Sequence, residues 1–332
     1  MTTTVDRPIV SPADHVTTPR GVLIFANPFS GSGPNRKRVH QLEAALQGLG
    51  LAPHIVWSRE ERHTFLTDPT LPERVGCVVS AGGDGSLSDV LTGLHAAGTL
   101  PQLILYHYPV GTENLFAAEV QHTRDPQQAA NAIAHALSTD QTPARHRTID
   151  LGQATADQQT QLFHLMLSAG FDAEVVRRMD RWRTAPTNGR LRRVTRTRYA
   201  PRTLAALAHY RYPPVQLTPD DGTTLTGAHA FVFNLPRYGG GLKLGSAADY
   251  TDGQLDYLVL TRPGLPRLLR YGITVLLNRH HHSPHIYHGR TTQLTLHTEA
   301  PIQLDGDRLP PPNDHRVTIT AKPDALRICV PT

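Results

Sequence analysis

Through the first part of the chain, short all-apolar runs alternate with amphipathic ones. Gly21-Val22-Leu23-Ile24-Phe25-Ala26 is apolar throughout and is closed by Asn27-Pro28, the pattern of a strand buried on both faces of a parallel sheet. After a Gly/Ser stretch, Ser30 to Pro34, apolar positions fall at Val39, Leu42, Ala45, Leu46 and Leu49. That is a helical period, and Gly50 stops it. Pro53 to Trp57 and Val75 to Ser80 predict two further strands. Gly82 to Gly85 then precedes a helix carrying Leu87, Val90, Leu91 and Leu94, and Pro101 to Tyr106 predicts a fourth strand. Strand, loop and helix in repeated alternation imply βαβ units and a doubly wound sheet.

After about residue 145 the period changes. Strand-like runs dominate: Thr148 to Leu151, Phe163-His164-Leu165-Met166-Leu167, Gly227 to Phe233, Leu255 to Leu260, Gln293 to His297, Ile302 to Leu304 and Val317 to Ile319. They predict a second, largely antiparallel β domain. The interruptions are a basic stretch, Arg177 to Arg202, and a helix-like run, Leu265 to Leu277. Residues 1–20 are polar and Thr/Pro-rich and read as a disordered tail without a signal core. The expected organisation is a tail (1–20), an α/β domain (21–145) and a β domain (146–322).

Composition narrows this only a little. The 332 residues are enough for two domains, and 39% hydrophobic with 18% charged is ordinary for a globular chain. The formal charge of +5 favours anionic partners without choosing among nucleotide, nucleic acid and membrane. No apolar run approaches the length of a membrane-spanning helix. The chain is therefore expected in the cytoplasm, meeting lipid, if at all, from the inner membrane surface. Cys77 and Cys329 each lie in an apolar run and read as inert core thiols.

The chemistry concentrates in loops that follow strands. Asn27-Pro28-Phe29-Ser30-Gly31 and Gly82-Gly83-Asp84-Gly85-Ser86 each stand between a strand and a helix, so in a parallel sheet they share the carboxyl-end rim where ligands bind. Glycine lets backbone amides come close to a phosphate, and the following helix N-terminus adds unpaired N–H groups. Asp84 is out of place among phosphate-binding groups unless it handles a proton or a metal. Pro109-Val110-Gly111-Thr112-Glu113-Asn114 brings a third loop to the same rim. Read alone, each of these loops is a plain turn. Asp305-Gly306 is likewise the dipeptide of a hairpin turn. No Walker A string or Gly-x-Gly-x-x-Gly is present.

Taken in order, these three loops resemble the successive motifs of the diacylglycerol kinase catalytic family, which includes sphingosine, ceramide and phosphatidylglycerol kinase-like members. The resemblance continues through Ile149-Asp150-Leu151-Gly152, Ala169-Gly170-Phe171-Asp172-Ala173, Tyr238-Gly239-Gly240-Gly241, Asp252-Gly253-Gln254-Leu255-Asp256 and Leu304-Asp305-Gly306-Asp307. It implies an α/β nucleotide-binding domain followed by a β-sandwich, with the active site in the cleft between them. Residues 323–332 would return to the first domain. It implies ATP held by Asn27, Pro28, Phe29, Ser30, Gly31, Ser58, Gly82, Gly83, Asp84, Gly85, Ser86, Ser88, Asp89, Gly111, Thr112 and Asn114. It implies a Mg²⁺ held near Asp252 by its side chain and by backbone oxygens near Asp249 and Gln254. A lipid hydroxyl is a weak nucleophile, and a nearby carboxylate would take its proton. Asp305 is the first choice for that base, Asp84 the second, with Asp307 beside them.

Some positions depart from the family pattern. Ser86, Ser88, Asp89, Glu113, Leu115 and Asp307 differ from its commoner residues. They leave open a relative that binds nucleotide or anionic lipid without transferring phosphate. An NAD kinase shares the Gly-Gly-Asp-Gly loop but not the first loop with this later order. The acceptor lipid stays open. The arginine run 177–202 reads equally as an anionic-lipid patch or a solvated face. It carries no nucleic-acid signature. His280-His281-His282 with His285 and His288 reads as a surface loop. Exposed sheet edges leave room for a homodimer.

Overall fold

The structure is a computed structural model that describes residues 21–27, 35–138, 146–184, 210–211, 213–239, 242–245, 248–276 and 283–331. The first half alternates as its pattern predicts. Strand β1 (Gly21–Ala26) leads to helix α1 (Asn35–Gly48), β2 (Ala52–Val56), α2 (Arg59–Leu66), α3 (Leu71–Arg74) and β3 (Cys77–Gly82). Then come α4 (Asp84–Ala96), β4 (Ile104–Pro109), α5 (Leu115–Val120) and α6 (Pro126–Leu137). The strands pair in parallel in the order β2-β1-β3-β4. The fourth strand starts later than its apolar run suggests. Leu100–Gln102 instead winds into a 3₁₀ turn, because Pro101 has no N–H to give a sheet ladder and its fixed φ suits a turn.

The second half contains β5 (His146–Ala156), β6 (Gln159–Phe163), β7 (Met166–Ala169), α7 (Phe171–Thr184), β8 (Val215–Pro219), β9 (Leu225–Gly227) and β10 (His229–Phe233). It ends with β11 (Leu255–Leu260), α8 (Leu265–Leu276), β12 (Ile286–Thr291), β13 (Gln293–Thr298), β14 (Ile302–Leu304), β15 (Asp307–Leu309) and β16 (Arg316–Cys329). Among the described residues these strands form two sheets. One follows the order β12-β11-β10-β7-β14-β15. The other joins the parallel sheet through β16, which pairs antiparallel with β5 and β13 and then runs parallel to β4 at Arg327 and Ile328. An α/β half and a two-sheet β half are thus stitched by a single long strand.

Packing follows from the patterns. Val39, Leu42 and Leu46 of α1 and Ala129, Ala130 and Ile133 of α6 cover one face of the parallel sheet. Each fully buried aliphatic side chain contributes about 1.5–3 kcal/mol. The opposite face is covered by Leu87, Val90, Leu91 and Leu94 of α4 and Phe116 of α5. That cluster continues without a break into Leu165, Met166, Phe231 and Phe233 of the β half. The two halves therefore share a core, and Phe116, in the helix that follows β4, carries it to the rim where the candidate site lies. A third cluster, including Phe163, Leu167, Val232 and Ile319, fills the space between the two β sheets.

Candidate active site

Three loops are tied together at the rim of the parallel sheet. The N–H groups of Val110 and Gly111 both donate to the Gly82 carbonyl (3.1 and 2.9 Å). Asn27 Nδ2 donates to Ser86 Oγ (3.1 Å), and Asn35 Nδ2 to the Val110 carbonyl (2.8 Å). Gly83 and Gly111 meet backbone to backbone: a Cβ on Gly111 would stand 2.3 Å from Gly83 Cα. Only glycine permits that approach. Gly85, in the first turn of α4, faces open space, and Thr112 is exposed. The arrangement leaves first-turn amides of α4 at an accessible cradle, which suits a phosphate group. Pro28, Phe29, Ser30 and Gly31 lie outside the described residues.

Several of the predicted residues have local partners. Ser58 caps α2, its Oγ accepting the Glu61 N–H (3.0 Å). Ser88 Oγ donates to the Asp84 carbonyl (3.3 Å). Asn114, in the left-handed region at φ 53°, folds its amide back on Gly111, accepting the N–H and donating to the carbonyl. It therefore leaves the N-terminus of α5 to another group, and Asp84 supplies it. Asp84 Oδ2 accepts the Leu115 N–H (3.0 Å) and Oδ1 the Phe116 N–H (3.1 Å). Each oxygen keeps a further lone pair for other partners.

Asp305 is held differently. It and Gly306 both sit at positive φ (49° and 89°), as the centre of a two-residue hairpin turn requires, here between β14 and β15. Its carboxylate points inward, with its side chain 2% exposed. Oδ1 accepts the N–H groups of Leu165 and Met166 (both 2.9 Å), and Oδ2 that of His164 (2.7 Å). His164 Nδ1 also lies 2.7 Å from Oδ2. The approach is off the line of the ring N–H, so the attraction there is coulombic more than directional. Burial pushes the Asp305 carboxyl upward, but the His164 imidazole and the backbone donors outweigh it and hold it below its ordinary range. Burial pushes His164 down, yet Asp305, and with it Asp84, hold it above the usual value. The Phe116 ring packs edge-on against His164 at 5.4 Å between centroids. Asp84, Phe116, His164 and Asp305 thus form a chain of contacts across the two halves. Asp307 is exposed at the start of β15.

A second buried network braces the hairpin. Ser168 Oγ donates to Asp172 Oδ2 (2.5 Å), Gln303 Nε2 donates to Ser168 and to Asp172, and the Tyr238 hydroxyl donates to Asp172 Oδ1. Gln303 Oε1 accepts the Gly306 N–H (2.7 Å). In the arginine run, Arg177 and Arg178 turn onto the buried Glu174 carboxylate. The run from residue 185 and His280 to His282 lie outside the described residues.

Asp249, Asp252 and Gln254 share one loop, but their groups are turned elsewhere. Asp249 Oδ1 accepts the N–H and hydroxyl of Thr251, and Asp252 Oδ1 accepts the Gln254 N–H. Asp252 Oδ2 faces Arg290 Nη1 (3.3 Å), whose Nε stands 3.5 Å from Asp256. Asp256 and Arg290 are direct cross-strand neighbours, so the register of β11 and β12 brings a guanidinium to this loop. Among the described residues no three acidic, histidine or cysteine side chains converge as a metal site. The Asp252 carboxylate, the one side chain the resemblance assigns to a Mg²⁺, is thus engaged by the Gln254 N–H and by Arg290.

Two site residues, Arg62 and His164, were not among those the sequence motifs pointed to. Arg62 Nη2 donates to the Ala26 carbonyl at the end of β1 (3.0 Å). Burial lowers its pKa, and Asp89 opposes that shift. A lone arginine on an amphipathic helix announces no such placement. His164 stood inside an apolar run, and that misfit was the one available hint.

Comparison with known proteins agrees with this geometry. Residues 21–145 match the diacylglycerol kinase catalytic domain, and residues 166–330 the YegS C-terminal NAD kinase beta sandwich-like domain. The chain belongs to the diacylglycerol kinase-like family of lipid kinases. A diacylglycerol kinase of Mycobacterium tuberculosis (strain ATCC 25618 / H37Rv) is 30% identical over 320 residues, covering 93% of this chain and 95% of that one. One from Bacillus subtilis (strain 168) is 24% identical over 289 residues, covering 86% and 88%. The crystal structure of a diacylglycerol kinase from Bacillus anthracis str. Sterne shares the fold, with a TM-score of 0.63 at 16% identity over 94% of this chain and 97% of that one.

Proposed function

We propose that the chain is an ATP-dependent lipid kinase that transfers the γ-phosphate to a lipid hydroxyl. The observation that carries this reading is the backbone contact of Gly83 with Gly111 beside the Asp84 carboxylate. It joins two loops at the N-terminus of α4, beside the open space at Gly85, with one acid at the edge. Gly83, Gly85, Ser86, Gly111 and Thr112 would hold the nucleotide phosphates, with Asn27 bracing the cradle through Ser86. Magnesium bound with the nucleotide would neutralise phosphate charge. The acceptor oxygen bonds to the γ-phosphorus as the bond to the bridging oxygen breaks, and ADP leaves. The hydroxyl proton goes to a carboxylate.

For that base, Asp84 is preferred to Asp305. Each Asp84 oxygen accepts one backbone N–H and retains capacity, whereas the Asp305 side chain is buried and satisfied by three N–H groups and an imidazole. A carboxylate held below its usual pKa is also a weaker base. Diacylglycerol is the first acceptor to try, because both relatives carry that name.

The test is labelled ATP with Mg²⁺ and a panel of lipid alcohols in micelles, with Asp84→Asn alongside. A labelled lipid made by the wild type and absent with Asp84→Asn is the expected result. No labelled lipid, with ATP binding retained, would sink the kinase reading and leave a nucleotide-binding relative.

A further inference from the structure

The stretch from β11 to β13 differs in charge from the rest of the molecule. Between Tyr257 and Thr298 the chain has no Asp or Glu but five arginines: Arg262, Arg267, Arg270, Arg279 and Arg290. Helix α8 lies inside this stretch. Its inner face is anchored: Tyr271 is buried, its hydroxyl donates to the His285 carbonyl (3.3 Å), and Val275 packs on the shared core. Its outer face is mixed. Pro266, Arg270 and Ile273, at i, i+4 and i+7, are all exposed and make one stripe.

Ile273 is 58% exposed; Tyr287 of β12 is 48% exposed but, as the cross-strand partner of Val259, lies on the sheet face opposite the one α8 covers. Among the described residues the other large exposed hydrophobic is Leu49, just beyond α1 in the α/β half. Arg262, Arg267 and Arg270 form no ion pair with a described residue. Their charges converge on one point: desolvation and then these three guanidinium groups hold His285 below its ordinary pKa. Cations without acidic partners among the described residues, set beside an exposed aliphatic side chain, match an anionic bilayer in both charge and polarity. Duplex nucleic acid would satisfy the arginines but offers nothing to Ile273.

We propose that the outer face of α8 docks the protein on an anionic membrane. Ile273 enters the headgroup region, and Arg262, Arg267 and Arg270 meet lipid phosphates. The inference rests on the reading that the acceptor is a lipid.

Co-sedimentation with vesicles tests it, using phosphatidylcholine alone or mixed with phosphatidylglycerol. The variants are Ile273→Asp and the triple change Arg262→Ser, Arg267→Ser, Arg270→Ser, each checked for a wild-type melting temperature. Wild type should bind the phosphatidylglycerol vesicles and leave phosphatidylcholine in solution. Each arginine removed should weaken binding roughly fivefold, so the triple variant loses on the order of a hundredfold. Ile273→Asp should lose about tenfold. Variants that bind like wild type, or a wild type that ignores phosphatidylglycerol, would overturn the proposal. So would equal retention of wild type and Ile273→Asp on duplex DNA with no vesicle binding. The assay contains no ATP. A failure to phosphorylate lipid therefore leaves it standing, and a failure to bind vesicles leaves the kinase reading standing.

Discussion

Asp84-Gly85 and Asp305-Gly306 are the same dipeptide in opposite halves of the chain. Asp84 opens α4 and caps α5 through two N–H groups, with the open space at Gly85 beside it. Asp305 turns a hairpin and drives its carboxylate into the core, where three N–H groups and His164 surround it. The difference shows how one side chain serves two ends. A carboxylate that retains solvent and lone pairs can exchange a proton with a ligand. One that is saturated and buried holds the backbone in place, and its ionised form is part of the fold.

Removing Asp305 should have the largest effect on stability. Asp305→Asn takes away the charge that satisfies His164, Leu165 and Met166, and should cost about 3 kcal/mol in denaturant unfolding. A loss under ~0.5 kcal/mol, within the scatter of surface changes, would break the contrast. Asp84→Asn should cost only about 1 kcal/mol of stability, as for a lost helix cap. It should still lower turnover by at least ~100-fold; turnover that falls no further than stability would make Asp84 only a cap.

Within the cradle, Gly111→Ala and Gly85→Ala sharpen the picture further. The first places a methyl group against Gly83 backbone and should cost about 1–3 kcal/mol. The second meets open space, so its stability should stay within ~0.5 kcal/mol while nucleotide affinity, read by calorimetry, falls.

The remaining contrast is in pH. His107 and His122 are buried and neutral, with burial pushing both down to about 3. The unfolded chain binds more protons below about 6.5, so stability should fall as pH drops from there toward 3, by about 1 kcal/mol per unit for each histidine. His164 is held the other way, above its ordinary value. Its contribution is present below about 6.5 and is lost as pH rises through its folded pKa. Asp305→Asn should flatten this alkaline loss and leave the acid loss intact, which urea midpoints across the pH range would read.

The apolar runs and glycine loops made the parallel half readable, because its elements are local. Each strand is a continuous hydrophobic segment, and each loop follows its strand directly. Their ordered set also made the family legible. The run Phe163 to Leu167 was not readable in the same way. It looks like a single strand, yet the structure ends β6 at Phe163 and begins β7 at Met166 in a different sheet. The amides freed at His164 and Leu165 go to Asp305, roughly 140 residues away.

By itself, then, the sequence determined the alternating α/β half, the β-rich half and the glycine loops that can face a phosphate. Periodicity and turn chemistry act over a few residues, and those features need nothing more. Only the tertiary structure decided that Asp84 stays accessible while Asp305 is saturated, that Arg62 reaches the end of β1, and that Arg290 meets Asp252 and Asp256. Each of those outcomes depends on which strands pair and in what register, and such long-range pairing leaves no mark in a local pattern.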